Sequence, residues 1–459
     1  MALPPRVRLP SIVQVAAFLA DPVSFLERSR NRYGDVFEVH FTGMGRFVYI
    51  ADPALVKQVF AADRDIGLAG EARRPFMEPL LGSQSLLTTD GEQWERQRKL
   101  IGPPFHGELI ENYRQQIHDI AVAEVERWPD GETIAMRPRM QNITLEVILR
   151  LVFGIEDAAR LERLSELLPS LAAQGAWLFW LPQNLRAEWF PPVKRLFATL
   201  AEVDAILFDE IGRRRADPDV ADRDDILSLL VAAGDADDQE LRDELMTLLA
   251  AGHETTATSL AWAFERLARH PDVVERIRAE DGEEYLDAVV KETLRVRPVI
   301  TDVIRKLKAP MQLGSWEIPV DRHPTPAIVL VQRDRRIHDD PLAFRPERFI
   351  GNSATFGGWI PFGGGRRRCV GSHMALLEMK VVIAAVLERV DIAAPEPRGE
   401  RARMHHITLV PSKGARVTVH PRGAPGTNGS WNKRSDSHST SPPGPSSAAP
   451  PPPAGTATA

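Results

Sequence analysis

The only cysteine in the chain, Cys369, lies in the stretch Trp359-Ile360-Pro361-Phe362-Gly363-Gly364-Gly365-Arg366-Arg367-Arg368-Cys369-Val370-Gly371. One thiol cannot form an intrachain disulfide, and clusters that need several cysteines are excluded. A lone cysteine is more often a small buried hydrophobe than a ligand, so its neighbours must decide. Three consecutive glycines permit a tight, partly left-handed backbone path and the close approach of a bulky partner. A helical pattern over His373–Val390 follows at once. The sulfur therefore sits at a helix N-terminus beside cationic side chains, where a thiolate is stabilised, and loop N–H groups can point at it. These are the conditions for a cysteinate ligand to a haem iron, whose electron donation favours O–O cleavage. Other glycine-loop chemistries fail. A phosphate loop ends in Gly-Lys-Ser/Thr and no Lys follows here, and a dinucleotide fingerprint needs Gly where Arg368 stands.

A second constellation is Ala250-Ala251-Gly252-His253-Glu254-Thr255-Thr256, inside a long helical pattern. His253-Glu254 invites a zinc-protease reading, but that motif needs His at the position held by Ala257. Gly252 in a helix interior costs about 1 kcal/mol relative to Ala. Adjacent threonines can bond back to carbonyls and bend the helix. Two readings stay open on these residues alone. One is a kinked core helix with satisfied threonines; the other is a polar groove offering a hydroxyl and a carboxylate. Downstream, Glu292 and Arg295 share a helical face and can form a charge-assisted pair.

Phe362-Gly363-x-Gly365-x-Arg367-x-Cys369-x-Gly371 resembles the haem-binding signature of the cytochrome P450 superfamily at every defining position, and the chain looks like the soluble bacterial type. Ala251-Gly252-x-Glu254-Thr255-Thr256 resembles that family's oxygen-binding helix, and Glu292-x-x-Arg295 with Arg348 resembles its buried ionic set. The resemblance implies a mainly α, triangular P450 fold with a small β-rich region around one buried haem b. It implies Cys369 as axial ligand to the iron, with Phe362 packed under the porphyrin and Gly363, Gly365 and Gly371 shaping the loop. Arg367, Arg98, Trp94 and Arg305 are the implied haem-propionate contacts, the pair Trp94 and Arg98 matching a Trp-x-x-x-Arg element. Thr255 and Glu254 are the implied catalytic pair, with Thr255 beside dioxygen, Glu254 relaying protons through water, and Ala251 lining the site. Arg366 and Arg368 are read as a solvated charge run, and His253 as a helix-face residue.

The activity so implied is reductive dioxygen activation and insertion of one oxygen atom into an apolar or amphipathic organic substrate. Substrate contacts are expected before Trp94, in the aromatic region 177–190, at Ala251, at Val299–Val303 and at His406–Thr408. The reductant is a ferredoxin or flavodoxin with its NAD(P)H-dependent reductase, docked on a cationic patch of the loop arginines with Arg96 and Lys99. Rival readings are a haem-thiolate enzyme of dehydration, coupling or peroxide-driven chemistry, and a non-catalytic haem sensor. Peroxide-driven relatives generally lack the acid–threonine pair, which Glu254 and Thr255 supply.

Several elements must position these groups. Val36–Phe41 and Phe47–Ile50 read as a hairpin around Gly43 and Gly45. Gln141–Phe153, Leu196–Arg215 and Leu241–His270 carry helical periodicity, while Ile304–Leu313, Ile328–Val331 and Ile407–Val419 read as β-type. Val320-Asp321-Arg322-His323-Pro324 departs from the family pattern, which predicts a different local turn. The expected organisation is a lead segment 1–32, a haem domain 33–420 and a Pro/Ser/Gly-rich tail 421–459 unable to offset its ordering entropy. A net charge of −6 over 459 residues offers no case for nucleic-acid binding. No apolar run is long enough to span a membrane, and a cytoplasmic location is expected.

Overall fold

The structure is a computed structural model that describes residues 2–105, 107–175, 189–280, 282–351 and 358–422. Most of the aromatic stretch 177–190 and the tail from 423 onward lie outside the described residues. At the centre runs a 30-residue helix, Asp238–Leu267. Its N-cap Asp237 accepts the Glu240 N–H, and Asp238 and Glu240 place negative charge against the positive end of the helix dipole. Helices Met136–Val147, Pro191–Ala216, Glu284–Val296 and Ser372–Arg389 pack around it. Packed on several sides, it buries polar side chains such as Asp243, Glu244 and Glu265 as well as apolar ones such as Leu245 and Trp262.

The expected helix 141–153 forms, but as two pieces: Met136–Val147, then a π-helical turn Ile148–Val152. A Cβ on Gly252 would stand 2.9 Å from the Ile148 Cδ1, so glycine lets this turn press against the long helix. The helix carries Gly252 without interruption.

The hairpin Val36–Phe41 and Gly45–Ile50 gains a third strand, Arg322–Pro326, parallel to Gly45–Ile50. This edge position tolerates Pro324 and Pro326, which cannot donate to a ladder. The departing segment thus becomes a strand: Arg322 donates to Glu38 at 2.7 Å, and the His323 ring lies 5.3 Å from Phe47. The first residues add to the same sheet, with Val7 donating to the Glu38 carbonyl and Glu38 to that of Pro5. Helices Ser11–Ala20 and Pro22–Tyr33 follow, and Phe18, Phe25 and Phe41 close a small core there.

One β-type expectation is overturned. Ile328–Val331 is a short helix, its backbone N–H groups closing on the Ala327 and Ile328 carbonyls. All four side chains are buried, so the run carries no period that could separate buried strand from buried helix. The region 304–313 resolves into Lys306–Leu307 and Met311–Leu313, and 407–419 into Thr408–Pro411 and Arg416–Pro421.

Candidate active site

The cysteine loop owes its path to two left-handed glycines, Gly363 (φ 69°) and Gly365 (φ 65°). Between them, a Cβ on Gly364 would strike the Phe60 ring. The Cys369 N–H donates to the Phe362 carbonyl at 3.0 Å, closing the loop just before helix Ser372–Arg389. Phe362 packs edge-on against Trp359, with 5.8 Å between ring centroids. Cys369 keeps solvent-accessible surface, yet enough protein surrounds it to desolvate the sulfur. Burial raises its thiol pKa, and the Gly371 N–H, Arg98 and Arg368 only partly oppose this. The expected stabilisation by cationic neighbours is therefore outweighed. The polypeptide alone does not favour a thiolate, which a metal cation would.

The long helix is buried from Glu240 through Leu249 and again from Thr256, but its surface opens at Ala250–Thr255. Within that window the Thr255 hydroxyl donates to the Ala251 carbonyl at 2.5 Å. Glu254 is turned to helix Met136–Val147. It accepts from Arg137 at 2.5 Å and from Gln141 at 2.8 Å, while the His405 Nδ1 lies 3.9 Å away. Burial acts to raise the Glu254 pKa, but Arg137 and Gln141 override it and hold the carboxyl below its ordinary value. His253 is more than a helix-face residue: its Nδ1 is 2.9 Å from the Thr144 hydroxyl, and burial lowers its pKa to about 4.

A group of arginines lies at another side of the loop. Arg367 stacks on Trp94, its guanidinium carbon 4.1 Å from the ring centre, pairs with Asp90 and donates to the Thr89 carbonyl at 2.8 Å. Arg305 grips Asp63 with two nitrogens, the longer contact 3.0 Å. Arg98 lies one helical turn beyond Trp94, and its guanidinium makes no hydrogen bond or ion pair with a described residue; burial lowers its pKa while Cys369 acts to raise it. One expectation about surface charge is corrected. Arg366 is not freely solvated but pairs with Glu95 beside Trp94. Arg96 stays exposed while pairing with Glu240, in the first turn of the long helix, at 2.5 Å. Arg368 and Lys99 are exposed.

Behind the loop, Arg295 and Glu292 are wholly buried and joined by two hydrogen bonds of 2.6 and 2.8 Å. Arg295 also donates to the carbonyls of Gln332, Pro341 and Ala343. Glu292 accepts the Arg345 N–H at 2.8 Å, with Arg348 at 3.5 Å. On another flank, Ile300 bridges to Thr408 and the Leu409 N–H donates to the Val299 carbonyl, so two expected substrate-contact segments meet.

A family profile described as Cytochrome P450 matches residues 3–419. Among curated proteins, the chain is 42% identical over 433 residues to a protein of Mycobacterium tuberculosis and Mycobacterium bovis carrying the name cytochrome P450 135B1, covering 91% of this chain and 92% of that one. It is 37% identical over 431 residues to one carrying the name cytochrome P450 138, covering 92% and 97%. Among solved structures, the retinoic acid-bound cyanobacterial CYP120A1 superposes with a TM-score of 0.80 at 25% identity, covering 92% of this chain and all of that one. The heme domain of cytochrome P450DA superposes at 0.81 with 21% identity, over 92% and 98%. The chain belongs to the cytochrome P450 family and has its fold.

Membership implies a haem and an oxidoreductase. The residues present fit that group: a single thiol at an accessible sulfur, an opened stretch in an otherwise buried helix, and arginines in excess of acids. Among the described residues no helix is long and apolar enough to cross a membrane. Sequence reasoning missed Asp63, Asp90, Arg137 and Gln141. Nothing in their local spacing marks them, since each meets its partner only through the fold.

Proposed function

We infer that the chain is a haem-thiolate monooxygenase with haem b on Cys369, inserting one atom of dioxygen into an apolar or amphipathic substrate while the other leaves as water. The observation that carries this reading is the joint presence of one accessible thiol and an acid–alcohol pair at the opened stretch of the long helix. The bound cofactor supplies dioxygen reduction; the chain supplies position and protons. Trp94, Arg98, Arg305 and Arg367 face the propionates, Phe362 and the loop glycines seat the porphyrin, and Ala251 borders the substrate. Thr255, back-bonded to the Ala251 carbonyl, has oxygen lone pairs and a rotatable proton to offer. Glu254 is held ionised by Arg137, so it serves as a relay that accepts and passes a proton, not as a reservoir. Two electrons come from a ferredoxin or flavodoxin with its NAD(P)H-dependent reductase, in a cytoplasmic setting.

The retinoic acid bound by CYP120A1, an apolar chain ending in a carboxylate, supports an amphipathic substrate class. We read the haem domain as running from 33 to 420, with the segment 1–32 leading into it and joining its sheet through Val7 and Pro5.

The test begins with the carbon monoxide spectrum of reduced protein. A thiolate-type red-shifted band is expected, lost in Cys369→Ser; a histidine-type spectrum in the unaltered chain rejects the assignment. Thr255→Ala should still consume reductant but divert it to hydrogen peroxide, lowering product formed per electron pair by about tenfold or more. Unchanged coupling in that variant excludes the proton-delivery role. Incorporation of isotopically labelled dioxygen into product separates oxygenation from dehydration or coupling.

A further inference from the structure

Arg73 stands at the arginine-rich side of the site and was not marked by any motif. Helix Ala69–Leu81 starts on the Asp90 carboxylate, which accepts the N–H groups of Ala69, Gly70 and Glu71 at 3.1, 3.0 and 2.7 Å. The same carboxylate pairs with Arg367. Just before this helix, Gly67–Leu68 pairs antiparallel with Lys306–Leu307, the residues that follow Arg305. A Cβ on Gly70 would collide with the Thr89 carbonyl oxygen, so only glycine lets the helix start this close. Arg73, in the next turn, is thereby fixed beside Arg305 and Arg367.

Those two arginines have counter-ions of their own, Asp63 and Asp90. Arg74 next door donates to the Thr88 carbonyl at 3.0 Å. The Arg73 guanidinium has neither: no hydrogen bond or ion pair joins it to a described residue. Burial and the like charges of Arg305 and Arg367 lower its pKa to about 9, so it is still a cation at neutral pH. With Arg98, the group holds four guanidiniums against two carboxylates, and Arg73 and Arg98 are the two left without an acid. A partly buried guanidinium crowded by like charges is costly unless an anion arrives. A porphyrin with two propionates brings the missing two charges.

We propose that Arg73 is a further carboxylate-binding residue of this site and takes one haem propionate. The proposal rests on the haem-thiolate reading, and it adds a contact from helix Ala69–Leu81 to those from the Trp94 helix, the segment ending at Arg305 and the cysteine loop.

The experiment follows haem loss from full-length holoprotein to an excess of an apo-acceptor, for the unaltered chain, Arg73→Met and Arg73→Lys. Losing one charge-assisted contact should speed release about ten- to a hundredfold in the Met variant, with Lys in between. The thiolate-type carbon monoxide spectrum should persist in both variants. The three proteins are then reconstituted with haem dimethyl ester, whose propionates carry no charge. All should release the ester at one rate, because the lost interaction was already absent. Equal acceleration with both pigments would make Arg73 a merely structural residue and overturn the proposal. Unchanged haem release, with weakened binding of a long-chain carboxylic acid probe, would move Arg73 to the substrate and overturn it too. Preparations of the unaltered chain without porphyrin reject the haem reading and the proposal together, whereas a thiolate spectrum with no Arg73 effect rejects the proposal alone.

Discussion

Two arginine clusters flank the cysteine loop, and they are built on opposite principles. Around Glu292 and Arg295 both side chains are fully buried, and the nitrogens of Arg295 are distributed over two carboxylate oxygens and three carbonyls. Arg295 is thereby satisfied within the protein and has no nitrogen left to offer a ligand, although Arg348 at 3.5 Å adds a second cation to the single acid. Around Arg73, Arg98, Arg305 and Arg367, two acids face four cations, and the surplus points to an anion from outside. The closed set ties its own segments together; in the function proposed above, the open set receives the cofactor. A buried salt bridge in itself is weak evidence for either role, so the informative quantity is whether each guanidinium already has partners.

If that contrast is right, removing an acid should hurt more in the closed set. Glu292→Gln leaves Arg295 buried without a counter-charge, and the expected loss is about 3–5 kcal/mol. Urea unfolding of the holoprotein, or failure to accumulate folded protein at all, would register it. A loss near zero would mean that the carbonyl partners alone satisfy Arg295. In the open set, Asp63→Asn should cost about 2–3 kcal/mol with haem removed. With haem bound the cost should shrink, because a propionate can share Arg305. Parallel unfolding of the two forms measures the difference, and equal losses would show that Arg305 serves Asp63 alone.

How much of this was legible from the amino-acid sequence depends on distance along the chain. The loop from Phe362 to Gly371 and the pair Glu292 and Arg295 are local, so residue types at fixed spacing report them directly. Counter-charges are not local. Asp63 lies 242 positions from Arg305, Asp90 lies 277 from Arg367, and Arg137 lies 117 from Glu254. Their spacing carries no trace of the meeting, and an isolated arginine reads as a solvated surface charge. The same blindness explains Arg366 and Arg96, whose partners come from other helices. Ile328–Val331 failed for a different reason, since a fully buried apolar run has no polar face to reveal its period. The order of helices and the hairpin were legible because their patterns repeat over many residues.

Glu378 extends the comparison to a third case, a buried acid with no cation at all. It lies in helix Ser372–Arg389, its Oε1 has no hydrogen-bond partner, and burial alone lifts its pKa to about 8. Unfolded, such a carboxyl titrates near its ordinary value of about 4.3. Below that pH both states are protonated and the group is neutral towards stability. As pH rises, the unfolded chain releases the proton first, so stability falls steadily until the folded carboxyl also ionises near pH 8. The full linkage over this window has a ceiling of about 5 kcal/mol, which relaxation and water entry reduce. Glu378→Gln removes the titration while keeping the shape. The variant should match the unaltered chain near pH 4 and exceed it by about 1–2 kcal/mol near pH 8. Unfolding curves across that range decide the matter. A constant difference at every pH would show that Glu378 finds a partner in solution.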